Sequence, residues 1–418
     1  MTILPDEALP LPAVLAPHFT RPTSRRFALL LASAILTQGR HTVASLVGTL
    51  GSLAPGHRTD YQRVLSRAPW SGLRLDCALA GFILTHLVPD GPVTLVGDDT
   101  VDGHPGKHVY GKARHRDPIR SSHSYTAWTY GHRWVVLAVL VRFPFAARPW
   151  GLPVLIDLYR SEEDARCRGR PHRTPAQLMC RLVRRLMIRC PGRRFAFVGD
   201  SGYGSHEVAR FFHRHRRRLD LVSKLHPEAS LFEPPPPYRG MGRPRVKGAR
   251  RPKPREGVAS ARRRRMLTVG WYGGGTRRVE VVAGTGHWYK ADDGLVTIRR
   301  VFVHDLEGSH RDEYFYATDA TLDPAEIVTR YAHRWNIDSV QRRRYASASA
   351  AADARPAGTS VTRNSALSLL RVGASSARRI RRSSTTVPPT GSVTRIACSA
   401  TDPVATRPAS AHAPASSQ

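Results

Sequence analysis

Apolar and polar positions change rhythm twice along the chain. Up to about residue 90 the apolar residues recur at helical spacing. Arg26–Leu36 (R-F-A-L-L-L-A-S-A-I-L) is too densely apolar for a surface helix and predicts one packed deep in a bundle. Shorter helices are predicted over Thr42–Leu50 and Asp60–Leu65, and a longer one over Trp70–Leu87, closed by Pro89-Asp90-Gly91. Beyond residue 91 short apolar runs take over. Pro92–Gly97 reads as a buried strand ending in Asp98-Asp99-Thr100. Ser124–Trp128 and Trp134–Phe143 read as strands with Tyr130-Gly131-His132 turning between them, and Val154–Tyr159 as another. Thr174-Pro175 opens a helix through Ile188, with Thr as N-cap and Pro in the first turn. Phe195–Val198 is a buried strand stopped by Gly199 and Asp200. Ser205 then caps a helix, and Leu219–Lys224 is a further strand.

The second change comes near residue 231. Pro234–Pro237 is a stiff run, and 239–265 carries twelve Lys or Arg against one acid, Glu256. This stretch reads as a disordered basic loop. Met266–Gly284, Leu295–His304 and the run at Tyr314 alternate like strands, so 231–320 reads as an inserted, mostly β segment. Asp323-Pro-Ala-Glu326 then starts a helix with an N-cap Asp, Pro at the first position and Glu at the third. Tyr331, Arg334 and Asp338 come next at spacings of three and four and share one face of it. After Asp338 the composition breaks. Residues 339–418 are dominated by Ala, Ser, Arg, Thr and Pro, with Tyr345 the only aromatic and no Lys. Such a tail is expected to be disordered. The break falls in mid-helix, which reads as a frameshifted C-terminus.

Charge narrows the function. The 418 residues carry 65 Lys plus Arg against 32 Asp plus Glu, a net charge of +33. That excess points to a polyanion, with nucleic acid ahead of a membrane surface. No apolar run is long enough to span a membrane, and the first residues lack the pattern of a signal peptide. The five cysteines form no C-x-x-C pair and read as free cytosolic thiols.

Strands, a helix, a strand, a helix and a strand make the element order of an RNase H-like α/β fold with a mixed sheet. The expected domains are a helical one over 1–90, a DNA-binding candidate; a catalytic one over 91–338, interrupted by the β-rich basic insertion at about 231–320; and the tail 339–418. In that order two strand-end acids, Asp98 or Asp99 and Asp200, face one point. Carboxylates beside basic surface suit two-metal phosphodiester chemistry, with Mg²⁺, or Mn²⁺, as the hard cation. Gly199-Asp200-Ser201-Gly202 also matches the nucleophile motif of trypsin-like proteases, but the basic helical N-terminus does not suit a double barrel.

Three motifs in order, V-G-D-D-T at 96–100, V-G-D-S-G-Y-G at 198–204 and Y-A-H-R-W-N-I-D at 331–338, resemble those of bacterial insertion-sequence transposases with a DDE triad. The likeness is to those with a β-rich insertion before the third acid. The resemblance implies a metal-binding, catalytic triad of Asp99, Asp200 and Asp338. It selects Asp99 over Asp98 because the family's first acid directly precedes Thr or Ser. Asp338 stands where the family has Glu, and Tyr345 where it has Lys. Tyr331 and Arg334 are the implied DNA contacts at the cleaved strand, and Arg243, Arg245 and Lys247 of the basic run are further candidates for phosphates. The implied activity is nicking at the element's ends and attack of the freed 3′-OH on target DNA. Its partners are double-stranded DNA and a second copy in a homodimer on that DNA, in the cytoplasm at the nucleoid. A non-catalytic DNA-binding remnant and a metal-dependent nuclease without strand transfer stay open beside it.

Overall fold

The computed structural model describes residues 5–334, apart from Arg40, Pro105, Lys107, His108, Pro118, Ile119, Arg239 and Met241. Asp338, Tyr345 and the tail 339–418, with the frameshift reading, lie outside the described residues. The chain opens with helices α1 (Pro10–Leu15), α2 (Arg21–Leu36), α3 (Val43–Leu50), α4 (Arg58–Ser66) and α5 (Gly72–His86). Leu30 and Ala34 of α2 pack with Leu46, Tyr61 and Val64 in a core of their own. The apolar run of α2 is not buried all round, since Ile35 and Leu36 are 67% and 56% exposed. Leu75 of α5 joins this core, whereas Ala80, Ile83 and Leu84 enter the core under the sheet.

The sheet begins with β1 (Val93–Gly103), β2 (Ala113–Arg116), β3 (Trp128–Val141) and β4 (Trp150–Tyr159). Helices α6 (Glu162–Cys167) and α7 (Pro175–Arg189) lead to β5 (Phe195–Val198), α8 (His206–Arg214) and β6 (Leu219–Lys224). Thr174 caps α7 in a reciprocal capping box with Gln177. β3 pairs antiparallel with β1 and with β4, while β5 lies parallel between β1 and β6. This is the RNase H-like arrangement.

Three readings of this region change. The strand expected over Ser124–Trp128 does not form; the strand ahead of β3 is β2, at Ala113–Arg116. The expected turn at Tyr130-Gly131-His132 is absent, and β3 runs straight through it. Gly131 is there for close approach: a Cβ on it would lie 1.9 Å from the carbonyl oxygen of Asp102 on β1. β1 also does not stop at its acids. It stays paired with β3 out to Gly103↔Gly131, although its pairing with β5 ends at Val96↔Val198.

The insertion comprises β7 (Leu231–Phe232), α9 (Pro254–Ala259), β8 (Arg265–Gly270), β9 (Thr276–Lys290), β10 (Gly294–Asp305) and β11 (Glu313–Ala317). It is not a separate layer. β11 pairs antiparallel with β6, giving one eleven-stranded sheet whose main path runs β2-β3-β1-β5-β6-β11-β10-β9-β7, with β4 also on β3 and β8 also on β9. The basic run is not a plain loop either. It holds α9, and the Lys247 ammonium sits 4.3 Å from the Phe232 ring and 4.1 Å from that of Tyr289. Finally α10 (Pro324–His333), capped by Asp323, packs across the sheet face opposite α7.

One buried acid links the helical segment to the sheet. Asp76 of α5 is 8% exposed, and its carboxylate accepts the N–H of Ile156 on β4 at 3.3 Å. Burial, with a smaller push from Asp157, raises its carboxyl to about 7, against that hydrogen bond and Arg185. The folded pKa lies above the unfolded one, so the stability this site contributes is full in acid and is lost as pH rises through about 7. Relative to wild type, Asp76→Asn should therefore gain stability between about pH 4 and about pH 8, on the order of 2–4 kcal/mol. Urea unfolding at a series of pH values measures this; a difference that does not change with pH would contradict it.

Candidate active site

The site arises from strand alternation. On β1, Val93 and Leu95 point into the core shared with α7 and α8, and Val96 points to the opposite face, shared with α10 and the insertion. On β5, Phe197 and Val198 divide the same way. Val96 and Val198 are the last pair; by alternation Asp98 follows Val96 on the α10 face, and Asp200, two residues past the end of β5, acts electrostatically on Tyr331 of that face. They lie just where β5 ends and β1 continues, at the carboxyl edge of the parallel strands. Asp200 also caps the turn: its carboxylate accepts the N–H of Gly202 at 2.9 Å. Asp98 accepts the N–H of Asp99 at 2.8 Å.

Asp99 belongs to the other face. Its carboxylate takes an ion pair at 2.6 Å from Arg133 of β3, and the Arg133 guanidinium lies 5.6 Å from the Tyr159 ring. The structure therefore brings Asp98, rather than Asp99, to the side where Asp200 stands. All three carboxylates still act on one group. The hydroxyl of Tyr203, 3% exposed, is pushed well above its ordinary pKa by burial and then by Asp99, Asp98 and Asp200, against Arg133. Among the described residues that hydroxyl has no hydrogen-bond partner.

On the α10 face Tyr331 packs against Phe315, ring centres 4.4 Å apart and the rings tilted by 39°, and Arg334 lies three residues further on. Both are buried, at 2% and 7% exposure. Burial raises the Tyr331 hydroxyl; Arg334 opposes this, and Glu313 and Asp200 add to it, which puts Tyr331 within electrostatic reach of Asp200. Glu313 is itself held by Lys224 of β6 and accepts the hydroxyl of Tyr272 at 3.1 Å. No motif in the sequence marks Glu313, Lys224 or Arg133; strand pairing alone brings Lys224 to Glu313 and Arg133 to Asp99. Tyr203 could have been suspected from its place in G-D-S-G-Y-G.

The basic candidates lie elsewhere. Arg243 and Arg245 are exposed beside β7, at the far edge of the sheet. Six strand spacings separate β7 from β1, roughly 25–30 Å. Asp338 lies outside the described residues. Among the described residues no group of three His, Cys, Asp or Glu side chains is gathered for a metal. The donors at Asp98 and Asp200 are hard carboxylate oxygens. One or two such ligands, completed by water and phosphate, are what Mg²⁺ ordinarily takes, so the pair fits a hard divalent cation.

In comparison with known proteins, residues 14–278 match the family model described as DDE superfamily endonuclease. No curated protein matches. Among solved structures, a piggyBac transposase in a synaptic complex with hairpin DNA, seen by cryo-EM, matches with 10% identity and a TM-score of 0.38. The match covers 86% of this chain and 65% of that one, so the chain spans just under two thirds of that protein's length.

The Arg133–Asp99 pair is testable apart from any activity. Arg133→Met leaves a half-buried carboxylate without its cation and should lower stability by about 1–3 kcal/mol. In an Asp99→Asn background the same substitution should cost less than about half as much. Urea unfolding of the four proteins gives the cycle; equal costs in both backgrounds would dissolve the pair.

Proposed function

This chain belongs to the DDE superfamily endonuclease family, and from that premise we propose that it is a transposase of a bacterial insertion sequence, cutting and rejoining duplex DNA. The observation that carries the reading is that Asp98 and Asp200 each follow the last β1–β5 pair by two residues, at the end of the parallel pairing. Asp98 and Asp200 would hold a divalent cation, Mg²⁺ or Mn²⁺, with Asp338 as the third carboxylate. Bound there, the ion supplies Lewis-acid stabilisation of charge developing on the scissile phosphate.

The chain's own residues do the rest. Arg133 holds Asp99 turned away from the phosphate. Asp99 is the acid that the family's motif favours, and on this reading it orients β1 and Arg133 rather than touching the substrate. Lys224 and Arg334 provide positive charge on the α10 side for the phosphates that flank the cut. Tyr331, packed against Phe315, fixes the direction of α10 and with it the position of Arg334. The charge of +33 favours binding through phosphates along a long stretch of duplex, with Arg243, Arg245 and Lys247 as distal contacts. Action at paired element ends suits a homodimer on DNA, and a bacterial element would place the protein on the nucleoid. Among the described residues no helix is long and apolar enough to cross a membrane.

Supercoiled plasmid carrying element ends, in buffer with Mg²⁺, tests the reading through nicked and joined products. Asp98→Asn and Asp200→Asn should each lower nicking by roughly 10³-fold or more, several kcal/mol of lost stabilisation. Asp99→Asn should lose less than about tenfold. A larger loss at Asp99 than at Asp98 would return the first ligand to Asp99. Nicked product with no joined product would favour a nuclease without strand transfer, and DNA binding without nicking a non-catalytic remnant.

A further inference from the structure

Beyond the end of β1 the sheet narrows to the ribbon of β2 and β3. Its register pairs Arg114 with Tyr130 and Arg116 with Trp128, so these four side chains share one face. Trp128 and Tyr130 are 47% and 59% exposed, and both arginines are exposed as well. The Arg114 guanidinium lies 4.2 Å from the Trp128 ring, and the Lys112 ammonium 6.0 Å from that of Tyr130. The nearby carboxylate of Asp117 is already engaged by Arg120 at 2.8 Å and by the Thr129 hydroxyl at 3.0 Å. Large rings left open to water on a strand face have a high cost unless something covers them. Three cations beside the rings, with the Asp117 carboxylate already engaged, favour an anionic partner.

We propose that this ribbon face is a stacking platform for the bases of an unpaired DNA strand. The inference rests on the proposed action of the chain on DNA. Cations beside the rings match the phosphates, and the ring faces match bases that are not already stacked in a duplex. The guanidinium over Trp128 extends the planar surface, as arginine does in other single-strand sites. Placement supports the same occupant. Asp98 pairs with Val136 of β3, and Tyr130 and Trp128 lie six and eight residues earlier on the same face. At about 3.3 Å per residue they stand roughly 20 and 26 Å from the carboxylates. At about 3.4 Å per stacked base that is some 6–8 nucleotides from the cut. The platform thus receives a flank that has come unpaired, and not the scissile step.

The test uses the full chain, without divalent ions, and two labelled DNAs. One is a blunt duplex; the other is the same duplex with an unpaired flank of about ten nucleotides. Wild type should bind the flanked form at least about tenfold more tightly. Trp128→Ala and Tyr130→Ala should each lose about tenfold of that preference and keep blunt-duplex affinity within about twofold. Tyr130→Phe keeps the ring and should retain the preference. Alanine variants with the wild-type ratio of affinities, or a wild type that does not distinguish the two DNAs, would overturn the platform while leaving DNA cleavage standing. A chain that binds neither DNA at low salt would overturn the platform and the DNA reading together.

Discussion

Everything at the proposed site depends on β5 being short. It pairs with β1 over four residues and then turns at Gly199, whereas β1 continues for seven more beside β3. The sheet therefore has a notch, and the chain places Asp98 and Asp200 on its rim. Glycine makes the notch possible. A Cβ on Gly97 would stand 2.6 Å from both the Met179 side chain and the Phe197 ring. Any larger residue would push α7 off the sheet just beneath the acids. The turn after β5 is fastened from below, where the hydroxyl of Ser223 on β6 lies 3.0 Å from the Gly199 carbonyl and 2.8 Å from that of Asp200. An acid held this way by backbone has little freedom to leave the rim.

In a chain with about two cationic side chains for every acid, many carboxylates are claimed by arginine. Asp157 is bound by Arg181 at 2.5 Å and lies 3.4 Å from Arg185; Asp305, 2% exposed, is bound by Arg277 at 2.9 Å. Asp99 has the same fate with Arg133. Two adjacent aspartates on a strand must face opposite ways, so Asp99 is anchored to Arg133 on one face while Asp98 belongs to the other.

Much of the architecture was legible in the sequence because it is local. The capping signals at Thr174, Ser205 and Asp323 each start a helix where they stand. The order of strands and helices is enough for the RNase H-like core. What was not legible is what pairing decides. Gly131 reads as a turn from composition, and only the backbone of Asp102 opposite explains why it is a glycine within a strand. The choice between Asp98 and Asp99 depends on which face Val96 and Val198 share, a fact about register and not about spacing. Lys247 reads as a free loop charge, and the rings that it covers come from β7 and β9, one of them more than forty residues downstream.

The pairing of β11 with β6 changes what kind of object the β-rich insertion is. A module joined only by its two ends could be lost or exchanged among relatives without harm to its host. This one supplies the neighbour of a central strand. Cutting it out would leave β6 as a bare edge, with Leu221 and Val222 beside an open row of amide and carbonyl groups, a template for pairing with another molecule. Such a segment evolves under the host sheet's constraint. It can lengthen, gain charge or change its tip, but its last strand must stay in register with the core.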